Sequence, residues 1–176
     1  MLIFTQTSNE TELHQILELQ QRNLPKNLTE AEKQHHGFVT VEHDFETLFR
    51  MHKVHPHTIA KNNDKVVGYA LSMSTVFKDS IPVLIPMFNE IEKLDIDENF
   101  IIMGQVCVDK EYRGKGIFRG LYQKMSIVFS GEYSSIITEV DAKNLRSVNA
   151  HNAVGFKTIC EYSANSQVWE IVGMEI

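Results

Sequence analysis

A turn rich in glycine and positive charge stands between an apolar strand and an amphipathic helix. Arg113, Gly114, Lys115 and Gly116 follow the apolar run 100–108 and precede a helical stripe of apolar residues. Glycine lets backbone N–H groups approach a ligand, and a helix start carries unpaired donors with partial positive charge. The turn is therefore suited to hold phosphate, although on this spacing alone a plain strand-to-helix bend is an equal alternative.

Three histidines near the middle of the chain raise the alternative of a metal site. His52, His55 and His57 lie within six residues. Zinc usually takes four ligands in a tetrahedral arrangement, and Pro56 bends the chain between two of these imidazoles. We therefore interpret the three rings as solvated or hydrogen-bonded and predict no metal.

The elements needed to position the turn follow from periodicity. Apolar and β-branched runs predict strands at 2–4, 58–61, 66–75, 100–108, 135–140, 156–162 and 168–172. Helical spacing predicts a helix after the caps Thr7, Ser8 or Asn9, and further helices over residues 45–52, 81–94, 117–129 and 144–154. The polar stretch 25–41 is predicted to be a loop. The second half thus has the order β-α-β-α-β-β.

Composition limits the class of protein. The 176 residues are 43% apolar, and 17 basic against 23 acidic side chains give a net charge of −6. This balance argues against nucleic acid or an anionic membrane as the main partner. The start of the chain lacks a signal-peptide pattern, and the most apolar stretch, 81–88, is much shorter than a membrane span of about 20 residues. We expect one cytoplasmic domain over residues 1–176, with free thiols at Cys107 and Cys160.

The turn resembles a known family signature. It is similar to the pyrophosphate-binding motif Arg-x-x-Gly-x-Gly/Ala of the GCN5-related N-acetyltransferases (GNAT). The matching residues are Arg113, Gly114, Lys115, Gly116 and Ile117, and Phe118 stands where that family usually has Gly or Ala.

A second block strengthens the resemblance. Asn144, Ser147 and His151 precede Gly155 and Phe156, and this spacing resembles the family's downstream pattern of Asn, a small residue, an aromatic residue and Gly-Phe. The resemblance implies an α+β fold: a mostly antiparallel sheet of six or seven strands with flanking helices and a strand-turn-helix site for acyl-coenzyme A. It also implies an acetyltransferase that acts on an amine.

The resemblance implies acetyl-coenzyme A (acetyl-CoA) as the acyl donor. The backbone of the turn, from Arg113 to Phe118, would bind its pyrophosphate. The strand segment Val106, Cys107 and Val108 would lie beside the pantetheine and supply oxyanion donors. Asn144 would cap the following helix, contact the cofactor arm, or do both.

The catalytic residues also follow from this implied chemistry. An alkyl ammonium must lose a proton before it attacks, and Glu139 is our candidate base, with a solvent-facing position on its strand as the alternative. Gln105 could polarise a water molecule, and His35 and His36 could line the acceptor pocket. His151 stands where the family often has a tyrosine that protonates the departing thiolate, so we assign it the general-acid role, with helix packing as the alternative.

Other interpretations of the same residues stay open. Cys107 could form an acyl-enzyme, although a strand cysteine in an apolar run is usually inert. The glycines at 114, 116 and 120 with Asp141 resemble a relaxed dinucleotide-binding fingerprint, whereas no Walker A string is present. A domain that binds acyl-CoA without catalysis is a further alternative. The acceptor is an undefined small-molecule or peptide amine, and homodimers are common in the family.

Overall fold

A mixed β-sheet separates two layers of helices. The computed structural model describes residues 1–36 and 38–176, apart from the side chains of residues 34–36. In this part of the chain seven strands form one sheet: β1 (Leu2–Gln6), β2 (Thr58–Asn62), β3 (Lys65–Met73), β4 (Phe100–Val108), β5 (Ser135–Asp141), β6 (Lys157–Ala164) and β7 (Gln167–Glu175). The α-helices are α1 (Glu10–Arg22), α2 (Glu30–His36), α3 (Phe45–Val54), α4 (Ile85–Ile91), α5 (Ile117–Phe129) and α6 (Leu145–Val154).

The strands are ordered β1-β2-β3-β4-β5-β7-β6 across the sheet. β4 and β5 run parallel, and the other neighbouring pairs run antiparallel. A parallel pair needs a crossover connection, which α5 provides. The predicted α+β class with a mostly antiparallel sheet of six or seven strands is confirmed.

Each face of the sheet has its own hydrophobic core. Helices α1, α3 and α4 cover one face through Leu13, Leu48 and Met87. Helix α5 covers the opposite face, where Leu121 and Met125 are fully buried. Residues four apart share one side of a helix, so the apolar stripe that predicted α5 is the stripe that packs on the sheet.

One helix lies where the sequence predicted a loop. Residues 25–41 contain a 3₁₀ turn (Pro25–Asn27) and α2. Helix α2 has no regular apolar stripe, but it begins with a capping box in which Thr29 and Glu32 bind each other's backbone N–H groups. The prediction of a loop was wrong because it depended on apolar periodicity and not on capping.

The segment 81–94 shows how proline delays a helix. A 3₁₀ turn over Pro82–Leu84 comes first, and α4 then begins at Ile85 with Pro86 in its first turn. Proline is tolerated there because the first N–H groups of a helix have no intrahelical partner. None of the helices in the described part of the chain is long and apolar enough to cross a membrane.

Candidate active site

A cavity of about 370 Å³ lies between the end of β4, the glycine turn, the start of α5 and helix α6, close to the point where β4 and β5 stop pairing. Their parallel pairing extends only as far as Ile102 and Ile137. Just beyond, the Thr138 hydroxyl donates a hydrogen bond to the carbonyl of Met103 at 2.8 Å. Along its last residues, the edge of β4 that faces β5 therefore has no partner strand. The backbone groups at this edge can bind a ligand instead.

The cavity collects nearly all the predicted cofactor-binding residues. It is lined by Val106, Cys107, Val108, Arg113, Gly114, Gly116, Ile117, Phe118 and Asn144. Lys115 is not in its wall; its ammonium lies 5.1 Å from the ring centroid of Tyr112, which does line the cavity. The placement of these residues is compatible with their predicted roles, which stay predictions.

The glycine turn leaves open space above its backbone. Gly114 and Gly116 have φ values of +73° and +77°, and a Cβ atom built on either would meet nothing within 4 Å. Gly116 precedes α5 without a side-chain cap, so the first N–H groups of the helix have no capping acceptor there. Unpaired donors, a helix N-terminus and open space together fit a pyrophosphate.

Arg113 fixes the turn to two other elements. Its Nε donates to the carbonyl of Val108 at 3.0 Å, and its Nη2 donates to Oδ1 of Asn23 at 2.7 Å. Asn23 is the residue that ends α1. The guanidinium thus contributes positive charge at the cavity wall and also joins the turn to the helix layer on the other side of the sheet.

The third glycine of the turn region has a packing role. A Cβ on Gly120 would lie 2.2 Å from the ring of Phe4, so this glycine lets β1 pack closely on α5. Asp141 accepts hydrogen bonds from Lys143 N and Gln167 Nε2. A dinucleotide-binding fold has a mostly parallel sheet, whereas the described sheet has a single parallel pair, so the topology excludes the dinucleotide-binding interpretation.

Cys107 lies on β4 facing the α1 side, and its side chain is 6% exposed. Burial raises the pKa of its thiol to about 12, so it remains protonated at neutral pH. A thiol is a weak nucleophile, which counts against an acyl-enzyme at this residue.

His151 is enclosed by aromatic rings. Its imidazole contacts Phe118, Tyr122 and Phe156 edge-on, and the residue is 1% exposed. Since the Ser147 carbonyl can only accept, Nδ1 donates to it at 2.8 Å, and Nε2 accepts from the Tyr122 hydroxyl at 2.7 Å. Burial lowers the pKa of His151 to about 4. A neutral ring with both nitrogens bonded and no place in the cavity wall counts against the general-acid role, which stays a prediction.

We expect His151→Ala to act mainly on stability. Loss of the buried ring and of the partner for the Tyr122 hydroxyl should lower the free energy of unfolding by about 3 kcal/mol. Turnover per folded molecule should stay within about threefold, because a neutral ring with both nitrogens hydrogen-bonded does not act as the general acid. Loss of a general acid would instead lower the rate by about 10² to 10⁴. Urea unfolding and steady-state kinetics check both, with Tyr122→Phe as the control that removes only the hydroxyl. A tenfold loss of turnover at unchanged stability would restore the general-acid role.

Glu139 lies on β5 two residues beyond the last residue paired with β4. Its carboxylate accepts a hydrogen bond from the Tyr162 hydroxyl. Burial raises the pKa of Glu139 to about 7, although the hydrogen bond from Tyr162 acts in the opposite direction. A half-buried carboxylate with such a pKa suits proton transfer near neutral pH. Its contact with Tyr162 differs from the fully solvent-facing position that was the alternative.

Gln105 stands across the gap from Glu139 on β4. It accepts a hydrogen bond from the Tyr69 hydroxyl at 2.6 Å and donates one to the carbonyl of Val41 at 2.7 Å. Both ends of the amide are therefore engaged, and Gln105 attaches the segment 38–44 to the sheet. The side chains of His35 and His36, predicted to line the acceptor pocket, lie outside the described residues.

Asn144 caps α6, because its Oδ1 accepts from the N–H of Ser147 at 3.1 Å. Both residues also line the cavity. Sequence reasoning did not place Asn23 or Val39 in the same wall, since they come from the distant segment after α1. It also missed Tyr162, whose contact with Glu139 depends on the pairing of β5, β7 and β6.

The three central histidines bind separate partners. His52 Nδ1 meets the Thr7 hydroxyl at 2.8 Å, His55 Nε2 meets the Tyr133 hydroxyl at 2.7 Å, and His57 Nε2 donates to the Leu48 carbonyl at 3.2 Å. Among the described side chains, those of residues 1–33 and 38–176, no group of three or more His, Cys, Asp or Glu is arranged to hold a metal ion.

Comparisons with known proteins agree with this geometry. The model of the acetyltransferase (GNAT) family matches residues 13–156. None of the curated protein sequences is significantly similar to the chain.

Solved structures share the fold at low identity. The ribosomal-protein-S18-alanine N-acetyltransferase from Escherichia coli is 14% identical with a TM-score of 0.64, and the match covers 100% of this chain and 94% of that one. Ard1 from Thermoplasma volcanium is 12% identical with a TM-score of 0.68, over 99% and 97% of the two chains. The structure of yncA from Salmonella typhimurium with its cofactor acetyl-CoA is 13% identical with a TM-score of 0.64, over 99% and 93%.

The family model spans most of the chain, and the strand-turn-helix motif that carries the resemblance lies at a cavity with the expected open backbone. The chain therefore belongs to the GNAT acetyltransferase family and is an acetyl-CoA-dependent N-acetyltransferase.

Proposed function

We propose that this enzyme transfers the acetyl group of acetyl-CoA directly to an amine that enters through the gap between β4 and β5. The observation that carries the proposal is the position of Glu139 at the edge of this gap. It projects on the same sheet face as Gln105, since both contact residues of the core beneath α1. A half-buried proton acceptor thus stands where β4 and β5 are no longer paired, although like His151 it is not in the wall of the cofactor cavity.

The cavity wall provides the binding groups. Acetyl-CoA supplies the acetyl thioester when it is bound. The backbone N–H groups of residues 113–118 hold its pyrophosphate, and Asn144 and Ser147 contact its arm from α6. The unpaired edge of β4 at Val106 to Val108 pairs with the pantetheine and directs N–H groups at the carbonyl oxygen, where negative charge develops during attack.

Glu139 removes the proton that blocks attack. An ammonium with a pKa near 10.4 is only about one part in 10³ neutral at pH 7, and burial in the site lowers that pKa. The proton passes to the Glu139 carboxylate, the C–N bond forms and the C–S bond breaks. The products are an acetylated amine, a free coenzyme A thiol and one proton released to solvent.

The acceptor is a small-molecule or peptide amine. Two proteins with the same fold are associated with protein substrates: the Escherichia coli enzyme is a ribosomal-protein-S18-alanine N-acetyltransferase, and the NatC complex was solved bound to Gag peptide and CoA. A peptide N-terminus is therefore the first class of amine to test.

The enzyme's environment is part of the proposal. Cys107 and Cys160 are free cysteines, as is ordinary in a reducing compartment. We therefore place the enzyme in the cytoplasm. It is a monomer or a homodimer, and light scattering distinguishes the two by their mass.

Thiol release from acetyl-CoA across a panel of amines tests the proposal. The panel contains a polyamine, a free amino acid, an aminoglycoside, a peptide N-terminus and a lysine peptide, and mass spectrometry identifies the acetylated product. We expect at least one amine to accelerate release. The rate should rise with pH through about 7, because Glu139 must be ionised to accept a proton. Tight binding of acetyl-CoA without transfer to any amine would instead identify a non-catalytic binding module.

A further inference from the structure

A tyrosine reaches the candidate base from two strands away. Glu139 and Tyr162 stand on β5 and β6, with β7 between them, where Ile171 is opposite Glu139 and Trp169 is opposite Tyr162. The Tyr162 ring is 9% exposed within the core beneath α1 and α4. Its hydroxyl donates a hydrogen bond to Glu139 Oε2.

This contact involves one oxygen of the carboxylate. Oε1 of Glu139 has no hydrogen-bond partner among the described residues. This oxygen is therefore able to take a proton from the amine that accepts the acetyl group. A hydroxyl that donates to one carboxylate oxygen fixes the rotation of the group and favours its charged form. The register of β5, β7 and β6 places the two side chains in contact.

Burial and neighbouring groups keep the Tyr162 hydroxyl protonated, so that it donates a hydrogen bond. Burial, the carboxylates of Glu139 and Glu90 and the thiol of Cys160 all raise the pKa of its phenol well above the usual value. Glu90 belongs to α4 and Cys160 to β6, so the groups facing the tyrosine are acidic or neutral. Tyr162 therefore keeps its proton at neutral pH and is not itself a base.

We propose that Tyr162 is the positioning residue for Glu139, holding the carboxylate ionised and oriented at the gap between β4 and β5. This inference rests on the proposed function, because it presumes that Glu139 accepts the proton of the amine.

Without the hydroxyl, the ionised carboxylate loses its hydrogen bond while its burial is unchanged. The pKa of Glu139, already raised by burial to about 7, should then rise by about one further unit. A larger fraction of the enzyme would carry a protonated Glu139 at neutral pH. At pH values above the shifted pKa, the carboxylate would ionise again and activity would return.

The test is the pH dependence of kcat/KM in Tyr162→Phe. We expect the acid limb to move up by about one pH unit, a loss of roughly tenfold below the limb, and a plateau within about threefold of wild type at high pH. The KM for acetyl-CoA should not change. Tyr133→Phe is the matched control: it removes a hydroxyl bound to His55, away from the gap, and should leave the profile as in wild type.

Comparison with Glu139→Gln distinguishes failure of the inference about Tyr162 from failure of the proposed base. If Glu139→Gln costs about 100-fold or more while Tyr162→Phe keeps the wild-type acid limb, the inference about Tyr162 fails and the proposed base stands. If Glu139→Gln keeps normal turnover, the proposed base itself is wrong. A loss in Tyr162→Phe that is the same at every pH would assign the hydroxyl to acceptor binding and overturn the inference. Thermal melts confirm that each variant is folded.

Discussion

Gly116→Val is expected to abolish measurable binding of acetyl-CoA while leaving a folded protein. Gly116 has a φ of +77°, and the space above its Cα is empty. A valine there would fill the space that the pyrophosphate needs and keep it from the first N–H groups of α5. Loss of two hydrogen bonds to a charged ligand, at about 1.5 kcal/mol each, weakens binding by at least about 100-fold.

Strain must be separated from obstruction in this experiment. A side chain in the left-handed region costs about 1–2 kcal/mol wherever it stands, and more when it is β-branched. Gly155 ends α6 with a φ of +112° and is not in the cavity wall. Gly155→Val therefore introduces at least as much strain, because a φ of +112° lies further from the left-handed region open to other residues, but it does so without the obstruction. It should keep its affinity for acetyl-CoA.

Isothermal titration and thermal melts measure the two effects. Wild type at about 100 times the dissociation constant gains about 2.7 kcal/mol from the ligand, whereas Gly116→Val should gain none. Unchanged affinity in Gly116→Val would show that the glycine serves only the bend of the chain and that the phosphate lies elsewhere.

The sequence was sufficient for the part of the site that is local in the chain. β4, the glycine turn and α5 are consecutive, and each has its own signal: an apolar run, glycines with positive φ and a helical stripe. The predicted ends of β4 and α5 coincide with the observed ones. Local physics decides these elements, since capping, turn geometry and amphipathicity involve neighbours in sequence.

The rest of the site depends on contacts between distant segments. Asn23 reaches the turn through Arg113, and Tyr162 reaches Glu139 across β7. Neither contact has a local signal, because each requires the strand order or the packing of α1 on the sheet. Periodicity also left open which face Glu139 occupies, and the pairing of β5 with β7 decides it.

His151 shows that a motif position does not determine a side chain's environment. Its spacing to Asn144 and Gly155 fits the family pattern, yet the ring lies among Phe118, Tyr122 and Phe156. The aromatic residue Phe118 at a position where the family usually has Gly or Ala contributes one wall of that enclosure. The departure from the motif and the burial of the histidine are thus parts of one packing arrangement.

Acid should destabilise the protein at pH values above the ordinary pKa range of carboxyl groups, which is about 4. His43, His57 and His151 are at most 5% exposed, and burial lowers their pKa values from 6.5 to about 4, 3 and 4. The unfolded chain then binds more protons than the folded chain below pH 6.5, so stability falls as the pH decreases from there toward 4. At pH 5 each histidine costs about 2 kcal/mol, or about 6 kcal/mol for the three.

Glu139 acts in the opposite direction. Its pKa of about 7 lies above the ordinary carboxyl value, so the folded state binds a proton that the unfolded state has lost, and stability rises by about 2 kcal/mol between pH 7 and pH 5. The net loss is about 4 kcal/mol, which is a large part of the 5–15 kcal/mol typical of a folded domain. We expect the urea midpoint to fall steeply from pH 7 to pH 5.

The slope of stability against pH identifies the groups responsible. His57→Gln removes one buried imidazole. Between pH 7 and pH 5 the free energy of unfolding of this variant should therefore fall by about 2 kcal/mol less than that of wild type does. This difference does not depend on how stable the variant is at pH 7. His14→Gln is the matched control, because His14 is exposed and the same substitution there should leave the slope unchanged. An identical slope in His57→Gln and wild type would mean that His57 binds its proton equally in the folded and unfolded chains, and the acid lability would then have another source.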